Sequence, residues 1–311
     1  MRILIVGAGA TGGYFGGRLA QAGRDVTFLV RAKRAEELQH SGLVIKSPRG
    51  DVTLRDVKTV LADQISEPYD VVLLSCKAYS LDDAIESFAP AVGDATMILP
   101  VLNGMHHVDV LKAKFGASKV LGGQCVIAAT LNREREIVHL NDMHSIGFGE
   151  LGGGISERVR AIASTFEGAG FDFAVADDIL QQMWEKWVFL ATLAATTCLH
   201  RAAIGDILNT PDGRRVIEGV LGECKAVAAA NGYPLGDASN TRAQTILFAE
   251  GSPLTASMLR DIEGQSRIEA DHIVGDLIAR GGDAQHGALS SLRIAYSHLK
   301  AYEARQARQS A

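Results

Sequence analysis

The chain opens MRILIVGAGATGGYFGGRLA. Four apolar residues, 3–6, run straight into Gly7-Ala8-Gly9-Ala10-Thr11-Gly12, and small residues continue to Ala20. A short apolar run, glycine punctuation and then a small-residue helical pattern specify strand, tight turn and helix. In that setting G-x-G-x-x-G has a mechanical reading. Gly7 permits the turn, Gly9 lets a pyrophosphate reach the backbone, and Gly12 lets the helix pack closely on the strand. Ala10 and Thr11 then open the helix, whose first N–H groups and positive dipole end suit an anion. The plainer alternative is a glycine turn that holds no ligand.

The same alternation continues. Residues 25–30 (DVTFLV), 70–76 (DVVLLSC) and 96–102 (TMILPVL) are further continuous apolar runs. Without in–out alternation they fit strands covered on both faces, as in a parallel sheet between helices. Residues 43–57 alternate around Pro48-Arg49-Gly50, which predicts a hairpin. Stretches at 120–131, 136–140 and 144–151 predict a later, partly antiparallel strand group. A helix at 156–167 and a short strand at 171–176 follow. Beyond Asp177 the pattern turns helical, over 178–200, 211–231, 239–249, 255–264, 267–280 and 288–306. The expected architecture is α/β plus all-α. A doubly wound, dinucleotide-binding domain spans 1–176, and a helical substrate domain spans 177–311. A length of 311 residues suits two domains.

Composition narrows the partners. Net charge is −5, and no basic block exceeds Arg31-Ala32-Lys33-Arg34, so no nucleic acid is expected. No uncharged apolar run nears the ~20 residues of a membrane span, and the opening run is too short for a secretory signal. The expected setting is cytoplasmic. Cys76, Cys125, Cys198 and Cys224 form no CxxC and have no histidine cluster beside them. Neither a disulfide framework nor a metal site is expected. A small-molecule ligand is the remaining class.

Five further residues bear on chemistry. NAD sites place Asp or Glu at the end of the second strand, to bind the ribose 2′-OH. Here Arg31 stands there, followed by Lys33 and Arg34, which favours a 2′-phosphate and hence NADPH. A solvated basic helix start is the alternative. Lys77 (in SCKAYS) and Asn103 (in VLNG) follow apolar strands at the sheet edge where ligands of open α/β sheets bind. Ordinary turn chemistry explains either equally well, Asn103-Gly104 especially. Lys186 lies between Trp184 and Trp187. It is either a packed stem with its head in water, or a partly desolvated ammonium with a lowered pKa, suited to general acid work. Glu269 lies three residues after Ser266, behind Gly264, which also fits a capping box. One straight helix would hold Ser257 and Glu269 ~18 Å apart, so their convergence requires a break at 264–266.

Taken in order, GAGATG, Arg31, SCKAY, VLNG, W-E-K-W and S-M-x₂-D-x₇-E-x-D resemble the ketopantoate reductase (2-dehydropantoate 2-reductase) family, from Met1 to about Glu303. The resemblance implies a Rossmann-type domain followed by a helical one. It implies NADPH-dependent reduction of the 2-keto acid 2-dehydropantoate to (R)-pantoate, on the pantothenate and coenzyme A route. It implies Lys186 as general acid on the ketone oxygen, Glu269 holding the substrate hydroxyl and Ser257 binding its carboxylate. Asn103 would position the nicotinamide and the lysine.

Three positions depart from the family pattern: Leu190 and Ala194, where asparagines are usual, and Ile268, where a threonine is usual. Thr192, Thr196 and Thr197 are the nearby hydroxyls that could substitute. A site built to bond a polar substrate discriminates strongly when a partner is missing. A paralogue acting on a less polar 2-keto acid is therefore the close alternative. A non-catalytic NADP(H)-binding sensor is a second. A 6-phosphogluconate or 3-hydroxyacid type dehydrogenase is a third, though its glycine-rich substrate loop is not found. The layout implies the cofactor on the first domain, Lys186 and Glu269 on the second, and closure on ligand. The oligomeric state stays open, a homodimer among the options.

Overall fold

The computed structural model describes residues 1–286 and 290–310. It divides into two compact units, one of residues 1–102 and 107–180, the other of residues 103–106 and 181–311. The division falls within a long helix and assigns the Asn103 turn to the second unit.

Up to residue 175 the elements are β1 (Arg2–Val6), α1 (Ala10–Gln21), β2 (Asp25–Leu29), α2 (Ala32–Ser41), β3 (Leu43–Lys46), β4 (Val52–Leu54) and β5 (Lys58–Val60). Then come β6 (Val71–Leu74), α3 (Leu81–Phe88), β7 (Met97–Pro100), α4 (His106–Phe115), β8 (Leu121–Leu131), β9 (Ile137–Glu150), α5 (Glu157–Phe166) and β10 (Asp172–Val175). The first sheet has the order β5-β2-β1-β6-β7 and is parallel throughout. Every residue of β6 and β7 is buried, as unbroken apolar runs require between two helical layers. The winding reverses between β1 and β6. The glycine turn follows β1 and Ser75–Lys77 follows β6, so both lie at the carboxyl ends flanking this switch point. Strand β5 has no counterpart in the sequence reading. It is three half-exposed residues long, too short to show periodicity.

The second sheet runs β10-β9-β3-β4, with β8 antiparallel to β9. The predicted hairpin is present as the antiparallel pair β3–β4. The two strands predicted at 136–140 and 144–151 are one, β9. Residues 140–143 of β9 bulge out opposite the step from Ile127 to Ala129 of β8, and pairing resumes beyond them.

Two buried histidines tie α1 to this sheet. The Tyr14 hydroxyl meets His144 Nδ1 at 2.7 Å, and His139 joins Ser47 Oγ at 2.9 Å and the Met143 carbonyl at 2.9 Å. Burial holds the His144 pKa below its ordinary 6.5; Asp172 opposes this, while Arg49, His139 and Arg18 reinforce it. The unfolded chain therefore takes up a proton near pH 6.5 that the folded chain refuses until lower pH. This contribution to stability is complete above 6.5 and is lost as pH falls through the folded value. The melting temperature is expected to decline below that pH, with a shallower decline in His144→Gln; thermal melts across the range check it. Equal slopes in both proteins would place the acid sensitivity elsewhere.

The remaining elements are α6 (Ile179–His200), α7 (Ile204–Leu208), α8 (Gly213–Ala230), α9 (Asp237–Leu247), α10 (Ser257–Glu263), α11 (Asp276–His286) and α12 (Ser291–Ser310). The second unit has no strand among the described residues. The helix predicted over 267–280 differs from the one observed. The chain is irregular to Glu269, forms a π turn over Asp271–Gly275 and only then continues as α11. The start predicted for the last helix, residues 288–289, lies outside the described residues. No helix among the described residues is long and apolar enough to cross a membrane. None of the four cysteines is in a disulfide, and burial pushes the Cys198 and Cys224 thiols up to about 12, which leaves them unreactive. No group of side chains among the described residues could hold a metal ion.

Candidate active site

The three glycines of the first turn are there for three different reasons. Gly7 has φ +91°, a left-handed conformation, and its N–H donates to the Leu29 carbonyl at 3.0 Å. A Cβ on Gly12 would stand 2.2 Å from Ser75 Oγ and 2.5 Å from the Gly7 carbonyl. Gly9 has φ −83°, open to any residue, and a Cβ there would meet nothing within 4 Å. Neither backbone nor packing demands glycine at 9, so the bare backbone suits a group from outside the chain. Ala10 and Thr11 open α1, which has no side-chain cap and no acidic residue in its first turn. Its leading N–H groups fit the dinucleotide phosphates.

Arg31 sits just beyond β2, at the cap of α2, with its side chain 87% exposed and Asp83 at 3.6 Å. An ion pair this exposed is weak. Arg34, grouped with it in the sequence, is committed elsewhere, to Glu37 at 3.0 Å and the Arg135 carbonyl at 3.2 Å. Lys77 is half-buried at the cap of a short turn beyond β6.

In the second unit, Lys186 projects from α6, half-buried, and its Nζ donates to Asn103 Oδ1 at 3.1 Å. The ammonium is therefore held, not merely carried out to water. Gly104 follows Asn103 at φ +80°, and a Cβ there would lie 2.6 Å from the His272 carbonyl. Next to Lys186, the Trp187 indole N–H donates to the Ile273 carbonyl at 2.9 Å. Three stretches distant in sequence, 103–104, 186–187 and 272–273, thus meet in one unit.

Glu269 is 7% exposed and immediately precedes the helical turn, and its carbonyl accepts the Ile273 N–H at 3.0 Å. The capping-box alternative fails, because helical structure begins only at Ala270. Ser266 Oγ donates to the Gly264 carbonyl at 3.4 Å instead of capping. The break occurs where convergence would need it: α10 stops at Glu263, and Gln265 turns the chain with φ +53°. Ser257 is half-buried at the start of α10.

None of the three threonines replaces the missing asparagines. All are fully buried, and they donate to the α6 carbonyls of Val188, Thr192 and Leu193 at 2.7–2.8 Å. Thr197 Oγ1 also accepts the Ala256 N–H at 3.3 Å, fixing the start of α10. Ala194 is sealed in the core, while Leu190, one turn beyond Lys186, is half-buried.

The sequence reading passed over His272. Burial holds its pKa below 6.5, reinforced by His106, whose ring lies 5.4 Å away; Glu269, Asp276 and Asp271 oppose the shift. The available signal was a histidine three residues after Glu269 and another three after Asn103.

A doubly wound parallel sheet with a glycine turn at its switch point, joined to a helical unit carrying a held lysine, defines a nucleotide-dependent dehydrogenase. The model of the family described as "Ketopantoate reductase PanE/ApbA" matches residues 3–153, and that of its C-terminal domain matches residues 178–303. The chain belongs to the ketopantoate reductase family and is an oxidoreductase of that type. It is 38% identical to the "uncharacterized oxidoreductase YkpB" of Bacillus subtilis over 306 residues, covering 98% of this chain and 99% of that one. It is 29% identical to the 2-dehydropantoate 2-reductase of Archaeoglobus fulgidus over 280 residues, 90% of each chain. The crystal structure of 2-dehydropantoate 2-reductase from Geobacter metallireducens is 30% identical, with a TM-score of 0.86 over 97% of this chain and 99% of that one.

Proposed function

We propose that the chain reduces the keto group of a 2-keto acid with NADPH in the cytoplasm, converting ketopantoate to (R)-pantoate for pantothenate and coenzyme A synthesis. The observation that carries this reading is the Lys186–Asn103 bond at 3.1 Å. It holds an ammonium within the unit that also contains the buried Glu269.

When bound, NADPH supplies the hydride. Gly7, Gly9, Ala10, Thr11 and Gly12 hold its pyrophosphate, and Arg31 its 2′-phosphate. Lys77 and Asn103 line the nucleotide further along. Lys186 neutralises the charge developing on the keto oxygen and donates the proton there, with Asn103 orienting it. Glu269 accepts a hydrogen bond from the substrate hydroxyl, and Ser257 binds the carboxylate.

Arg31 carries the cofactor preference in this reading. A charge-assisted hydrogen bond contributes about 1.5–3 kcal/mol, and an exposed arginine sits at the low end. Arg31→Ala is expected to weaken NADPH binding about tenfold and leave NADH binding unchanged. Fluorescence titration with both nucleotides checks this; equal losses for the two would remove Arg31 from 2′-phosphate recognition.

A second reading draws on α6. Leu190 is half-buried and every nearby threonine hydroxyl is bonded inside the helix, which favours a 2-keto acid with a less polar side chain. A substrate panel with NADPH, scored by kcat/KM, tests both. Ketopantoate leading the panel supports the first reading, and an aliphatic or aromatic 2-keto acid leading selects the second. Tight NADPH binding without turnover of any 2-keto acid would make the chain a nucleotide-binding sensor.

A further inference from the structure

We propose that Trp187 is a positioning residue for the reaction. Through the Ile273 carbonyl, its indole N–H holds the Asp271–Gly275 turn in its π form and so sets where Glu269 stands relative to the Lys186–Asn103 pair. The inference rests on reading Lys186 and Glu269 as the groups at the reacting end.

The geometry has three parts. First, Trp187 is 1% exposed and next to Lys186 on α6, so the two side chains leave the helix about 100° apart. A fixed indole fixes the rotation of that helical turn and hence the direction of the lysine. Second, a Cβ on Gly104 would lie 3.9 Å from Trp187 Nε1 and 2.6 Å from the His272 carbonyl. The indole N–H therefore lies where the Asn103 loop and the π turn meet. Third, the π turn contains one residue more than an α turn, and such bulges persist where something outside the helix engages them. Here the Ile273 carbonyl takes a side-chain donor from 86 residues away.

The two ends of the turn differ in stiffness. On its far side α11 packs along α8, and Arg280 bonds Asp276 at 3.0 Å while lying over the Trp184 and Trp187 rings at 5.9 and 5.8 Å. On its near side residues 266–269 have no regular structure, and this stretch lies between two anchors from α12, the Tyr302 hydroxyl on the Ser266 carbonyl at 2.8 Å and Tyr296 and Lys300 on the Asp271 carboxylate. Without the indole N–H, the Ile273 carbonyl loses a buried partner, and the turn gains by reverting to α geometry. The extra residue is then taken up in the irregular stretch between the Ser266 and Asp271 anchors, and that stretch carries Glu269.

Trp187→Phe keeps an aromatic ring, deletes the donor and trims one fused ring from a buried position. Displacing a reacting group by about 1 Å can cost ~10²-fold, so kcat is expected to fall 10- to 100-fold. KM for the keto acid should rise as well, because Glu269 is the group read as holding the substrate hydroxyl, while Kd for NADPH should stay within about twofold. Trp184→Phe, which trims the neighbouring indole of the same core, should keep kcat. A general loss of packing would lower both variants alike, and that result overturns the proposal. So does wild-type kcat in Trp187→Phe while Lys186→Ala is inactive, an outcome that leaves the functional reading intact. A crystal structure of Trp187→Phe decides independently of activity, even if wild type turns over no keto acid and the functional reading falls. A turn reverted to α with Glu269 displaced supports the proposal; a π turn and Glu269 left in place overturn it.

Discussion

Replacing Lys186 with alanine lowers kcat by about 10²–10⁴-fold and leaves NADPH affinity within about twofold. Hydride arriving at a carbonyl carbon leaves negative charge on the oxygen. An ammonium already held at 3.1 Å from Asn103 Oδ1 needs little reorganisation to meet that charge and protonate it. On the proposed reading of Lys186, alanine removes the proton donor and the charge together. In the proposed reading the nucleotide is held by the other unit, around Gly7, Gly9 and Gly12, so cofactor affinity is expected to be unaffected. Asn103→Ala should act more weakly, because the ammonium stays but loses the group that aims it. Single-turnover NADPH oxidation gives the chemical step, and nucleotide fluorescence titration gives the affinity. Wild-type turnover in Lys186→Ala would exclude it as the acid; a loss confined to KM would recast it as a group that binds substrate without assisting the chemistry.

The two halves were legible in the sequence to different depths. The first sheet could be read because parallel strands buried on both faces are unbroken apolar runs, as at residues 3–6 and 71–74. Strand β5 could not, since three half-exposed residues carry no period. Strand β9 looked like two strands because its own residues 140–143 bulge out of the pairing with β8, which continues on either side of them. In the helical unit, periodicity located α6, α8 and α10 well. It missed the π turn, because that turn is engaged by a side chain 86 positions earlier. The same limit applies to the site. Lys186 and Asn103 were each suspect on local grounds, but their bond joins residues 83 apart. The threonines of α6 looked available as polar contacts. Their hydroxyls are consumed by the preceding helical turn, as β-branched hydroxyls buried in a helix commonly are.

Gly104→Ala is expected to destabilise the second unit by about 2–6 kcal/mol, from two separate causes. A non-glycine residue held at φ +80° carries strain of about 1–3 kcal/mol. The added methyl would also sit 2.6 Å from the His272 carbonyl, and a backbone atom in a packed turn cannot swing aside as a side-chain tip can. Overpacking of this kind costs about 1–3 kcal/mol. For a unit of this size the melting temperature should drop by about 5–15 °C. Gly232→Ala separates the causes: its φ is +89°, but a Cβ there meets nothing within 4 Å, so only the strain remains. A larger fall for Gly104→Ala than for Gly232→Ala therefore measures the contact with the π turn. That contact matters to chemistry as well as to stability. The methyl must push the Asn103 loop and the His272 carbonyl apart, which lengthens the bond from Lys186 to Asn103. The folded fraction of Gly104→Ala should then show a reduced kcat at temperatures well below its melting point. Equal stability losses in the two variants, with kcat unchanged, would show that the turn yields to the methyl and that Asn103 is held by other means.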